Sequence, residues 1–386
     1  MTRAFVSGNE ALALGVRLAA PKVVCAYPIT PQTTVVERLS EMVADGSLNA
    51  EFIYAESEHS AMSCAIGASA AGARAFTATS SQGLLYMAEC LPYAAGGRFP
   101  IVMMNANRSV ALPWNIYGDQ RDSISQLDCG WIQAYAQDAQ EALDLALMSY
   151  RIAERPDVST PFMINLDGFS LTHACEAVDV PSPEQARGFL PPYEPEDAMD
   201  FGRPRNMGFS AGPEHNAFFK YREHLGILRA RDAAAEAEEE FGRAFGRRYT
   251  GLVEEYMCGD ADFVLITLGS VAGACRDAAD RMRGEGVRAG VLRIRYMRPF
   301  PSAEIAEAVS GAEAVAVLEK DVSFGGTGTV FANVNSALYS AGARIPSSNY
   351  IGGLGGAPVS EGDACEIFRR MASGATGVRF IGMGGA

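Results

Sequence analysis

Val23-Val24-Cys25-Ala26-Tyr27-Pro28-Ile29-Thr30-Pro31-Gln32-Thr33-Thr34 is the stretch on which the fold turns. A short apolar run stopped by Pro28 reads as a buried strand, and a helix from about Thr33 to Ala44 follows it. The same alternation extends outward. Asn9 to Ala20 reads as a helix, with Leu12, Leu14, Val16 and Leu18 among alanines. Downstream, strands are predicted at Phe52–Ala55, Ala75–Thr79, Pro100–Asn105 and Pro161–Asn165. Helices fit from about Ser60 to Ala71, near Gly83–Ala95 and near Gln140–Ala153. Strands separated by helices of this length predict βαβ units and a parallel sheet covered on both faces.

The character changes near Val180. Pro181, Pro183, Pro191, Pro192, Pro195, Pro204 and Pro213 fall among apolar residues without regular period, which predicts a long excursion. From His215 to about Tyr256 the pattern is a long polar helix, with the acidic run Glu236 to Glu240 on a solvated face. A second α/β unit begins near Asp262, with strands at Phe263–Thr267, Ala289–Arg293 and Ala314–Leu318. A helix from about Ala272 to Glu285 lies between them, and the loop Ser323–Gly328 precedes another. The expected organisation is a first domain over 1–258, with its sheet in about 1–175 and the connection in about 176–258, then a smaller domain over 259–386.

The chain has 386 residues, 48% apolar and 20% charged, the composition of an ordinary globular protein. A net charge of −14 argues against a nucleic-acid binder, which needs a clustered basic face. The basic residues are almost all arginine; Lys22, Lys220 and Lys320 are the only lysines. No segment reaches the ~18 uninterrupted apolar residues of a membrane span, and the opening residues do not form a signal peptide. A cytoplasmic chain is therefore expected. None of the eight cysteines has C-x-x-C spacing, and the four histidines form no metal-binding pattern, so no metal site is expected within this chain.

Four clusters carry candidate chemistry. Tyr27-Pro28-Ile29-Thr30-Pro31 leaves the first predicted strand, where ligands of open α/β sheets bind; the same residues also read as a plain turn with Thr33 or Thr34 as N-cap. Glu56-Ser57-Glu58-His59-Ser60-Ala61 enters a helix of mostly Ala, Ser and Gly. Glu58 there either favours the helix dipole or, in a dry interface, shares a proton with a ring nitrogen. Ser80-Ser81-Gln82-Gly83 offers backbone donors to a ligand or simply starts a helix. Arg108, in Asn105-Ala106-Asn107-Arg108, forms either a bidentate pair with a substrate carboxylate or a structural salt bridge to Asp119 or Asp122. All four lie at the carboxyl ends of successive predicted strands. No G-x-G-x-x-G follows a strand and there is no P-loop; Gly325-Gly326-Thr327-Gly328 is a lone glycine cluster that an anion would suit. The Gly-Asp-Gly motif that holds magnesium diphosphate in thiamine enzymes is also missing.

Tyr27-Pro28-Ile29-Thr30-Pro31, Ser57-Glu58-His59-Ser60-Ala61, Ser81-Gln82-Gly83-Leu84 and Asn107-Arg108 with Gly118-Asp119 together resemble the alpha subunit of 2-oxoacid:ferredoxin oxidoreductases, closest to pyruvate:ferredoxin oxidoreductase. Asp167-Gly168-Phe169, Arg298-Pro299-Phe300-Pro301 and Glu319-Lys320 with Ser323–Gly326 are similar as well. The resemblance implies a thiamine-enzyme pyrimidine-type domain followed by a transketolase-C-like domain. It implies oxidative decarboxylation of pyruvate, or of a related aromatic or branched 2-oxoacid, with coenzyme A as cosubstrate and ferredoxin as acceptor. Thiamine diphosphate is then shared with a beta subunit. Mg²⁺ and [4Fe-4S] clusters lie in partner subunits of beta, gamma and delta type.

Carried across by position, Glu58 matches the carboxylate that pairs with the aminopyrimidine ring and promotes ylid formation. Thr30 matches the threonine beside the substrate carbonyl, which argues against oxalate as substrate, and Arg108 the arginine that pairs with the substrate carboxylate. Tyr27, Pro28, Ile29, Ser81 and Gln82 join Glu58 as cofactor contacts. The small-residue helix, with Ala65 on it, is expected to face the beta subunit. A structural or docking subunit with a lapsed site is the alternative of another class, and the joint presence of Thr30, Glu58 and Arg108 disfavours it.

Overall fold

The computed structural model describes residues 1–385. The chain opens with β1 (Thr2–Ser7), α1 (Gly8–Ala19), β2 (Val23–Ala26), α2 (Thr33–Ala44) and β3 (Glu51–Tyr54). It continues through α3 (Glu58–Ala70), β4 (Ala75–Thr79), α4 (Gln82–Tyr86), α5 (Cys90–Gly96) and β5 (Val102–Asn107). Then follow α6 (Arg121–Ile124), β6 (Ile132–Tyr135), α7 (Ala139–Ala153), β7 (Phe162–Asp167) and β8 (Cys175–Val180). The connection holds α8 (Pro183–Phe189) and α9 (Pro213–Phe245), and β9 (Val253–Tyr256) ends it. The second unit contains β10 (Phe263–Leu268), α10 (Ala272–Gly284), β11 (Ala289–Ile294), β12 (Tyr296–Arg298) and α11 (Ser302–Ala308). It closes with β13 (Ala314–Glu319), α12 (Thr329–Ser340), β14 (Ser347–Ile351), α13 (Glu361–Ala372), β15 (Gly377–Phe380) and β16 (Gly384–Gly385).

The first sheet has the order β12-β6-β7-β5-β4-β2-β3 and the second β16-β15-β14-β13-β10-β11-β9. Pairings in the body of each sheet are parallel, while β12, β9 and β16 add antiparallel edges. This is the parallel-dominated α/β fold expected from the alternation. Sheet membership, however, crosses the expected 258/259 division in both directions. β9 joins the second sheet beside β11, and β12 leaves the second unit to pair with β6.

Two further differences have local causes. The polar helix expected to reach Tyr256 stops at Phe245, because Gly246 takes φ 73° and caps it. The expected helix Gly83–Ala95 is two helices, broken at Met87–Glu89. Within the proline-rich excursion α8 still finds a core, where Phe189 packs on Phe241 and Phe245 of α9 with ring centroids 5.2 and 5.6 Å apart.

Buried charge locks the two sheets together. Glu141 on α7 receives Arg293 Nη1 and Arg295 Nε, each at 2.8 Å, and Arg295 also bonds Glu238 on α9. Burial alone pushes the Glu141 pKa up, but Arg293 and Arg295 outweigh it and hold it at about 2.

Candidate active site

The four expected clusters do meet, at the carboxyl ends of β2, β3, β4 and β5. The loop after β2 is stapled from beneath. Gln32 Nε2 donates to Tyr27 O at 3.0 Å and to Ala78 O at 2.9 Å, and Asn9 Nδ2 donates to Pro31 O at 2.8 Å. Gln32, not Thr33 or Thr34, stands at the start of α2 and makes no side-chain cap. Tyr27, Pro28 and Thr30 are therefore exposed on a rigid loop, with Ile29 half-buried.

Glu58 is the first residue of α3, one position inside the helix rather than just before it; Ser57 is the cap and accepts the Ser60 N–H. The carboxylate thus sits at the positive end of the helix dipole. Only 7% of Glu58 is exposed, yet no hydrogen bond reaches its oxygens among the described residues. A Cβ on Gly83 would stand 2.5 Å from Glu58 Oε1 and 2.6 Å from Thr79 Oγ1. The missing side chain at Gly83 is what leaves room for the carboxylate. Thr79 Oγ1 is buried without a partner in the same place. Buried polar groups left this way are uncommon and fit a site completed by a ligand.

Arg108 joins the other clusters. Its Nη1 donates to Thr30 O at 2.6 Å and its Nη2 to Gln82 Oε1 at 2.9 Å, while Nε has no partner. Burial lowers its pKa, against the opposing fields of Asp122 and Glu58. No carboxylate forms an ion pair with it among the described residues, so the structural salt bridge is not there. Asp119 instead pairs with Arg121 at 2.8 Å, and from Arg108 Asp122 accepts the backbone N–H alone, at 3.1 Å.

Ser81 is turned into the chain. It is fully buried, with φ 51°, its N–H given to Asp122 Oδ2 and its hydroxyl within 2.7 Å of Ser109 O and 2.6 Å of Gln82 Oε1. Its N–H and hydroxyl are committed inside the chain, where they shape the turn. A non-glycine residue held at positive φ is strained, and such strain gathers at functional turns. Gln82 keeps its amide N–H groups free of any protein acceptor among the described residues.

Asp122 organises this edge, a role beyond the salt-bridge partner that its place in the sequence suggests. It accepts from Ser81 N–H, Arg108 N–H, Asn105 Nδ2, Asn107 Nδ2 and Ser123 N–H, at 2.7–3.2 Å. Burial pushes its pKa up to about 6 against those donors.

The helix that was expected to face a partner turns Ala65 inward, fully buried among Met62, Leu84 and Met87. The outward positions are Ser63 and Gly67. Tyr27 after β2, Tyr54 at the end of β3 and Tyr86 at the end of α4 are exposed. The glycine loop before α12 is not an open anion site. Glu319 accepts the Val330 and Phe331 N–H groups at 2.7 and 3.1 Å, and Asp321 accepts that of Thr329. The letters G-x-S-x-G at Gly208–Gly212 fall in an exposed loop before α9, not on a strand-to-helix turn, and form no nucleophile elbow. Among the described residues no His, Cys, Asp or Glu side chains gather in threes as a metal set would, and no helix is long and apolar enough to cross a membrane.

Comparisons with known proteins identify the family. Residues 14–240 match the family described as pyruvate flavodoxin/ferredoxin oxidoreductase, thiamine diphosphate-binding, and residues 261–363 match pyruvate:ferredoxin oxidoreductase core domain II. Pyruvate synthase subunit PorA of Methanothermobacter thermautotrophicus is 45% identical over 378 residues, 98% of this chain and 97% of that protein. Its counterpart in Pyrococcus horikoshii is 46% identical over 368 residues, covering 95% and 93%. Ketoisovalerate oxidoreductase subunit VorA of Pyrococcus abyssi is 42% identical over 367 residues, covering 95% and 92%. A 2-oxoglutarate:ferredoxin oxidoreductase from Magnetococcus marinus shares the fold, with a TM-score of 0.73 and 20% identity. The match covers 96% of this chain and 65% of that longer one. The chain belongs to the pyruvate flavodoxin/ferredoxin oxidoreductase family.

Proposed function

We propose that this chain is the alpha-type subunit of a 2-oxoacid:ferredoxin oxidoreductase that converts pyruvate and coenzyme A to acetyl-CoA and CO₂, passing two electrons to ferredoxin. The observation that carries this reading is the Glu58 carboxylate, buried at a helix start without a partner among the described residues and accommodated by Gly83. Bound thiamine diphosphate supplies the electron sink for decarboxylation, chemistry that no side chain provides.

Glu58 shares a proton with a nitrogen of the cofactor's pyrimidine ring, a pairing that a dry site strengthens. Tyr27, Pro28 and Ile29 present a stiff wall beside that ring, and the free amide of Gln82 is a further donor. Arg108 has a partnerless Nε–H and a second hydrogen on each Nη, enough for the two parallel bonds a 2-oxoacid carboxylate takes. Thr30, whose carbonyl fixes that guanidinium, stands beside the substrate carbonyl.

The diphosphate, its Mg²⁺ and the [4Fe-4S] clusters belong to partner subunits of beta, gamma and delta type. The exposed aromatic rim and the Ser63–Gly67 face of α3 support a site closed by such a partner. The eight free thiols fit a reducing, cytoplasmic compartment. The ketoisovalerate relatives favour a second reading, the same chemistry on a branched 2-oxoacid.

The test uses the assembled complex, a panel of 2-oxoacids, CoA and a low-potential acceptor. Pyruvate is expected to have the highest kcat/KM. Glu58→Gln is expected to assemble yet lose at least ~10²-fold in rate, as for loss of a positioned proton-transfer group. Near-normal turnover by assembled Glu58→Gln overturns the reading.

A further inference from the structure

The edge that carries Arg108 is not held by the first sheet alone. After Arg108 the chain runs out through Leu112–Tyr117, where Leu112 and Trp114 are exposed, and returns at Gly118-Asp119-Gln120. Loops of the second sheet fasten that return. Gly355 N–H donates to Asp119 Oδ2 at 3.0 Å, and Gly356 N–H donates to Gly118 O at 2.7 Å. Asn115 Nδ2 donates to Gly355 O at 2.8 Å, and Gln120 N–H donates to Lys320 O at 2.9 Å.

Beneath them lies one buried carboxylate. Asp167, at the end of β7, accepts Gln120 Nε2 at 2.9 Å, Ser270 N–H at 2.8 Å, Ser270 Oγ at 2.6 Å and Lys320 Nζ at 3.1 Å. The Lys320 stem is trapped under the following turn, since a Cβ on Gly353 (φ 79°) would stand 2.9 Å from Lys320 Cγ. The next residue passes the constraint to the site. Gly168 N–H donates to Asn107 O at 3.0 Å, one residue before Arg108. A Cβ on Gly168 would overlap that oxygen and stand 3.1 Å from Pro31 Cγ, one residue after Thr30.

We infer that Lys320, carried by the second sheet, is a positioning residue for the 2-oxoacid: its ammonium pins Asp167 and, through that carboxylate, the Gln120 side chain and the Gly168 turn, and so sets where Arg108 and Thr30 stand. The inference rests on the reading of Arg108 as the carboxylate-binding group. Without the ammonium, a buried carboxylate keeps only neutral donors, and those donors must shift to solvate it. Arg108 has no ion pair to hold it against such a shift. A 1 Å displacement of a positioning group is enough to cost orders of magnitude in use of the substrate.

The experiment uses the assembled complex and four variants: Lys320→Met, Ser270→Ala, Arg108→Lys and the double variant Lys320→Met/Arg108→Lys. Lys320→Met is expected to raise KM for pyruvate about tenfold and leave KM for CoA within about twofold, because the lost interaction serves substrate binding. In the Arg108→Lys background it should add less than about twofold, since two residues acting through one contact are not additive. Should Lys320→Met fail to assemble, Ser270→Ala decides: it removes one bond to the same carboxylate, and a rise confined to the 2-oxoacid KM supports the inference. Unchanged KM in the assembled Lys320 or Ser270 variant overturns it, as do fully additive effects. If Arg108→Lys itself leaves every 2-oxoacid KM unchanged, the site reading falls instead.

Discussion

Gly83→Ala is the sharpest probe of the site, because it adds one methyl group and removes nothing. Gly83 lies in the first turn of α4 without a positive φ, so alanine suits its backbone, and a helical Gly→Ala change favours the helix by roughly 0.5–1 kcal/mol. The new methyl carbon would meet Glu58 Oε1 at 2.5 Å and Thr79 Oγ1 at 2.6 Å. Ordinary non-bonded contacts are near ~3.5 Å, so the carboxylate must withdraw by about 1 Å. Overpacking of this kind costs about 1–3 kcal/mol, and the helical gain offsets part of it, so the complex should still assemble with a modest drop in melting temperature. Activity should suffer far more. A misplacement of about 1 Å at a proton-sharing group costs on the order of 10²-fold, so turnover should approach that of Glu58→Gln. The assay is 2-oxoacid-dependent acyl-CoA formation beside a thermal melt of the same preparation. Turnover within twofold of wild type would refute the reasoning, since the carboxylate would then have no need of the space that Gly83 provides.

Three other outcomes are expected. A Cβ on Gly67 meets nothing within 4 Å and a helical glycine is unfavourable, so Gly67→Ala should leave the isolated subunit at least as stable while Gly67→Leu weakens co-purification with the beta-type partner; Ala65→Leu should instead destabilise the isolated chain by about 1–3 kcal/mol through its own core. Glu141→Gln strips one partner from Arg293 and Arg295, and since Glu254 and Glu238 remain, the loss should fall near the lower end of the roughly 3–5 kcal/mol typical of a broken buried pair, read by denaturant unfolding. Burial raises the Glu319 pKa to about 8, so the folded chain keeps a proton that the unfolded chain releases above pH ~4.3. Stability should fall as pH rises from about 4.5 to 8, and melting curves of Glu319→Gln should show a smaller fall; parallel curves for the two proteins would refute this.

Short-range pattern is enough to specify the parallel sheet and to point at one of its edges. Val23–Ala26, Ala75–Thr79 and Thr33–Ala44 are legible because local hydrophobic period and proline punctuation set them, and both signals lie within a few residues. Position at the ends of strands in an open α/β sheet marks Glu58, Thr30 and Arg108 only as candidates, and their expected roles come from the family resemblance. What the sequence left undecided depends on residues far apart in the chain. Whether Arg108 was salt-bridged or available turned on Asp119 pairing with Arg121 and on Asp122 spending its oxygens on backbone and amide donors. Ala65 and Gly67 are both small, and only the packing of α3 against β2 and β4 shows which of them turns outward. β12 carries no local signal that it belongs to the other sheet; it pairs with β6 because Arg293 and Arg295 reach Glu141 across the seam. Lys320 carries no role in the sequence beyond its place in the Glu319-Lys320 stretch; a strand end and a glycine turn place its ammonium against Asp167, 153 residues away. Local pattern chose the elements and their order. Long-range burial of charge decided which side chains are spent on holding the structure and which are left free for a ligand.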